Sequence, residues 1–74
     1  MSAPFVLSIE ITEGESFKHG YHLGTILSIA KVIAEERFNA RVQNRQPVVT
    51  VALLQNNHIV DVFYGDKWHS EMGA

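Results

Sequence analysis

The sequence predicts an α+β fold, a two-layer sandwich of β-α-β-β order with a three-stranded mixed sheet and one helix on one face. Three observations lead there. Phe5–Thr12 alternates apolar and polar residues with a period of two; apolar residues recur at helical spacing from His22 onward; and the apolar runs Val48–Gln55 and His58–Tyr64 flank an Asn56-Asn57 pair.

In the first run, Phe5, Leu7, Ile9 and Ile11 point one way and Val6, Ser8, Glu10 and Thr12 the other, the pattern of a half-buried strand. Glu13-Gly14-Glu15-Ser16 ends it, with glycine supplying the turn. Between about His22 and about Ala40, Leu23, Ile26, Leu27, Ala30, Ile33, Ala34 and Phe38 share one broad helical face. Thr25, Ser28, Lys31, Glu35 and Asn39 take the opposite side. Gly20 and Gly24 weaken an earlier start, so the chain up to Tyr21 is expected to be loop. Pro47 and the polar run Gln43-Asn44-Arg45-Gln46 separate the helix from the next strand.

Asparagine tolerates positive φ, so Asn56-Asn57 suits a two-residue type I′ hairpin loop. That loop opposes Gln55 to His58, Leu53 to Val60, Val51 to Val62 and Val49 to Tyr64, which puts the apolar residues of both strands on the helix side. A helix joining the first two strands predicts a parallel crossover. The far face then carries Val48, Thr50, Ala52, Leu54, Ile59, Asp61 and Phe63 beside Val6, Ser8 and Glu10, and a chain with one helix cannot cover it. Residues 1–74 are read as a single domain whose ends, 1–4 and 70–74, fray.

A chain of 74 residues buries only roughly 60% of the surface its unfolded form exposes, so its core is thin. It has no cysteine, which excludes disulfides and thiolate metal sites. A net charge of −2 argues against strong attraction to nucleic acid or to an anionic membrane. No apolar run approaches the ~20 residues of a membrane span, and Met1-Ser2-Ala3-Pro4 lacks the basic start of a signal peptide. The expected compartment is the cytoplasm, with no membrane partner.

Four sets of residues invite a chemical reading. Val48, Leu54, Ile59 and Phe63 form an apolar group on the uncovered face, and Trp68, after a Gly-Asp turn, either closes the core or anchors a partner. Arg37, Arg41 and Arg45, four apart near the helix end, offer phosphate contacts, although basic residues there also complement the helix dipole. His19 and His22 have a spacing that lets two imidazoles share a metal on a helix, but a zinc site needs three or four ligands. For catalysis the sequence holds no Gly-x-Ser-x-Gly, no phosphate-cradling glycine loop and no His-Glu-x-x-His, and no cofactor is expected.

Pro4-Phe5-Val6-Leu7-Ser8-Ile9-Glu10-Ile11, followed by Glu13-Gly14-Glu15-Ser16 and a helix, resembles the start of the small 4-oxalocrotonate tautomerases. The resemblance implies a proline whose free chain-terminal amine acts as base. Here Met1-Ser2-Ala3 precede Pro4, whose nitrogen is therefore an amide, and the activity does not carry over. The expected function is a non-catalytic protein-binding module, a homo-oligomer acting as inhibitor or adaptor of a larger protein, of the kind phages and mobile elements encode at this size. The alternatives are nucleic-acid binding through the arginines and a small metal-binding or tautomerase-like enzyme.

Overall fold

Gly14, at φ 87°, turns the chain back after strand β1 (Val6–Thr12), and the next four residues pair antiparallel with it as β2 (Glu15–Lys18). The computed structural model describes residues 3–18 and 23–72. Helix α1 (Leu27–Gln43) follows, then β3 (Thr50–Gln55), β4 (His58–Phe63) and a short helix α2 (His69–Met72). The sheet has four strands in the order β2-β1-β3-β4, and all three neighbouring pairs are antiparallel.

This corrects the expected three-stranded mixed sheet. The crossover through α1 leaves from β2, which runs opposite to β1, so β3 arrives parallel to β2 and antiparallel to the β1 strand between them. β2 escapes a reading by periodicity because Glu15-Ser16-Phe17-Lys18 has one apolar residue and is exposed throughout. A short, charged edge strand also resists pairing with other chains.

The helix begins five residues after the expected His22, because the chain before it is used by β1. Phe5 donates its N–H to Gly24 O (2.9 Å), and Leu23 N–H donates back to Phe5 O (2.9 Å). Gly24 takes φ 84°, outside the helical range. At the other end the helix runs past Ala40 to Gln43 and closes in a Schellman motif: Gln46 N–H donates to Arg41 O and Arg45 N–H to Val42 O, with Arg45 at φ 56°.

The hairpin loop is as expected, with Asn56 and Asn57 at φ 54° and 65° and Gln55 opposite His58. Beyond Leu54–Ile59 the register shifts at a bulge, so Leu53 meets Asp61 rather than Val60, and Val51 meets Phe63 rather than Val62. One extra residue in β4 exchanges the two faces of everything after it. Phe63 and Asp61 therefore turn toward the helix, and Val62 and Tyr64 turn away. The expected helix-side positions of Val62 and Tyr64, and the expected outward position of Phe63, are corrected by this bulge.

The core joins Phe5, Leu7 and Ile9 of β1, Val51 and Leu53 of β3 and Phe63 of β4 to Ala30 and Ala34 of α1. The two alanines, one turn apart, let the helix backbone approach the sheet closely. Trp68 closes the open end: Gly65-Asp66 reverses the chain, Tyr64 N–H donates to Lys67 O (3.0 Å), and the indole packs on Phe63 with ring centroids 5.1 Å apart. Phe38 meets Phe63 edge-on at 5.4 Å. Gly65 sits at φ 104°, where a Cβ would lie 3.1 Å from the Phe38 ring. Gly65→Ala is expected to destabilise the domain by roughly 1–3 kcal/mol, measured by urea denaturation, because it adds an αL penalty to that contact. The tail expected to fray starts instead with the ordered turn of α2.

Candidate interaction surface

Two features stand out, one on each side of the sheet. On the helix side, the bulge drives Asp61 into the interior, where the residue is 5% exposed. Oδ1 accepts the N–H of Val62 (2.9 Å) and of Ser70 (3.0 Å); Oδ2 accepts the Ser70 hydroxyl (2.6 Å) and pairs with Lys31 Nζ (2.9 Å). All of the carboxylate's roughly four acceptor positions are thus used. Burial alone would raise its pKa; the Ser70 hydroxyl, then Lys31 and the two backbone N–H groups, outweigh it and hold the group at about 2, below the ordinary 3.8. Lys31 Nζ also lies 5.0 Å from the Trp68 ring centroid, and the indole N–H donates to Glu35 Oε2 (2.8 Å).

This network ties α1, β4 and α2 together. A carboxylate with every lone pair engaged and so low a pKa is a poor proton acceptor, so its chemistry is that of a clasp. It also meets the outward N–H of Val62, which removes one free donor from the β4 edge. Lys31, Asp61 and Ser70 were not singled out by the sequence, because only the bulge brings Asp61 to the helix side.

On the other side the sheet face is open. Register arranges it in rows across the strands. One row runs Ser16, Glu10 and Thr50, with Tyr64 lining the groove just past the end of β4, and the next runs Lys18, Ser8, Ala52 and Val62. The third is apolar, Val6, Leu54 and Ile59. A shallow groove of about 290 Å³ follows these rows, floored by the small Ser8 and Ala52 and bordered by Glu10, Tyr64 and Ile59. Thr50 Oγ1 donates to Glu10 Oε1 at 3.2 Å. Ile59 is 66% exposed, more than any other large apolar residue among the described ones.

The residues chosen from the sequence for partner binding separate accordingly. Leu54 and Ile59 lie on the open face; Val48 packs against the core edge; Phe63 (5% exposed) and Trp68 (3%) are interior. Val62 and Tyr64 take the outward places that Phe63 was expected to hold. Of the three arginines, Arg37 and Arg45 are exposed. Arg41 is engaged within the chain, donating from Nε to Pro47 O (2.9 Å) with its guanidinium 5.5 Å from the Phe17 ring centroid.

His19 and His22 lie outside the described residues, and among the described residues no group of three or more histidines and carboxylates is placed to hold a metal ion. No described helix is long and apolar enough to cross a membrane. Comparison of the chain with family models, curated proteins and solved structures gives no match.

Proposed function

We propose that this chain is a non-catalytic protein-binding module that docks on a larger protein, as an inhibitor or adaptor, through the open face of its sheet. The observation that carries the reading is the apolar row Val6, Leu54 and Ile59 beside a groove, on a face that no element of the described chain covers. Single exposed apolar side chains are ordinary; an apolar row continuous with a groove is a surface that gains by being covered.

Selection of a displayed random-peptide library on the immobilised domain tests this. Selected peptides are expected to lose at least ten-fold in affinity for Ile59→Lys and to keep their affinity for Glu36→Lys, a substitution at an exposed position of α1. Because Ile59 is largely exposed, Ile59→Lys is expected to change stability by no more than about 0.5 kcal/mol. Peptides indifferent to Ile59→Lys would remove the open face as the docking surface.

Self-association is favoured by a different observation. Ile29 and Val32, spaced three apart on α1, are each more than half exposed, and Ile26, expected on the core face, sits instead in extended conformation at the helix N-cap and is 56% exposed. They form a stripe that a second copy would bury. Light scattering across a concentration series is expected to show twice the chain mass, with Ile29→Lys returning it to monomer; a monomer at every concentration would end this reading.

A further inference from the structure

We propose that the groove on the open face receives a basic side chain, arginine or lysine, from a partner segment whose apolar residues pack on Val6, Leu54 and Ile59. This rests on the reading of the open face as the docking surface and names the chemistry of what docks there.

The first ground is charge. Glu10 is the one charged residue lining the groove among those described, and it stands among hydroxyls from Ser16, Thr50 and Tyr64. Among the described residues its carboxylate accepts one side-chain hydrogen bond, from Thr50, which occupies one acceptor position on Oε1. No cation among the described residues pairs with it: Lys18 opposes Ser8 one row away, and Lys31 is held by Asp61 on the other face. A wholly apolar segment laid across this face would cover an unpaired carboxylate, which is costly, and an acidic one would add repulsion. A guanidinium or ammonium answers the carboxylate, finds acceptors in the flanking hydroxyls, and gains a cation–π contact over the face of the Tyr64 ring, which also lines the groove.

The second ground is the arrangement of the rows. Glu10 and Val6 are four residues apart on one strand, so the polar row and the apolar ridge are separated by roughly 13 Å at 3.2–3.4 Å per residue. Ser8 and Ala52 leave space between them. A segment that matches this face carries its cation on one side of the trough and an aliphatic side chain on the other. In extended form that is a spacing of four residues. The same layout disfavours a second copy packed face to face about an axis through the groove, since that would bring two Glu10 carboxylates together.

The test uses the peptide acetyl-Leu-Thr-Ala-Thr-Arg-amide titrated into isotopically labelled protein and followed by amide chemical shifts, beside the same peptide with citrulline or glutamate in place of arginine. Citrulline keeps the shape of arginine and removes its charge. Shifts are expected to cluster at Ser8, Glu10, Ala52 and Val62, with the citrulline peptide at least ten-fold weaker and the glutamate peptide weaker still. Glu10→Gln, on the open face and with a side chain bonded only to Thr50 among the described residues, is expected to keep the parent's melting curve and to bind the arginine and citrulline peptides equally. Equal binding of those two peptides by the parent chain, or shifts absent from this face at millimolar peptide, would overturn the proposal. The docking reading itself stands or falls separately, on whether displayed peptides depend on Ile59.

Discussion

Phe63→Ala is expected to cost roughly 3–5 kcal/mol of stability, the range for removing a buried aromatic side chain. A chain of 74 residues has a total of about 4–11 kcal/mol at ~0.05–0.15 kcal/mol per residue, so this one substitution removes a large fraction of it. The cause is local and specific. Phe63 is packed between the Phe38 ring at 5.4 Å and the Trp68 ring at 5.1 Å, so its removal leaves a void where α1, β4 and the Trp68 segment meet. Urea denaturation followed by Trp68 fluorescence measures it. The informative control is Ile59→Lys, four residues earlier in the same strand, which is expected to leave the midpoint nearly unchanged. Similar losses for the two would mean that the bulge does not separate their faces.

Asp61→Asn is expected to cost roughly 2–4 kcal/mol at neutral pH, because an amide presents donors to the Ser70 hydroxyl and Lys31 where the carboxylate presented acceptors. The pH dependence supplies a sharper check. The folded-state pKa of Asp61 is about 2, below the ordinary 3.8, so the unfolded chain binds the proton more readily. Stability from this group is therefore fully present above the unfolded value and is lost as pH falls from about 4 through about 2. A depression of that size corresponds to roughly 2 kcal/mol. The melting temperature of the parent chain is expected to fall more steeply than that of Asp61→Asn over this window, bringing the two curves together. Parallel curves would show that the clasp carries no such linkage.

The location of these effects shows where local pattern stopped being informative. The alternation of Phe5–Thr12 and the Asn56-Asn57 turn were legible because a strand's period and a turn's φ preference are properties of a few adjacent residues. The central turns of α1 were legible for the same reason, though its start was not. Leu23 and Gly24 are withheld from the helix by hydrogen bonds to Phe5, a residue far away in sequence. β2 was illegible because four residues with a single apolar side chain carry no period; Phe17 makes sense only once Arg41 lies over it.

The candidate surface divides in the same way. By itself the sequence determined that Ser8 and Glu10 share a face, that Leu54 and Ile59 lie on it, and that one helix cannot cover both sides of the sheet. Only the tertiary structure decided which half of β4 joins them. In His58–Phe63 straight alternation puts Val60 and Val62 on the helix side and Asp61 outward, and nothing in those adjacent residues marks the extra one that reverses the assignment. The choice falls to contacts across the chain: Phe63 fills the space beside Phe38 and Trp68, and Asp61 finds Lys31 and Ser70. A single inserted residue satisfies both, sends Phe63 and Trp68 into the core, and leaves Val62 and Tyr64 beside Glu10 on the open face.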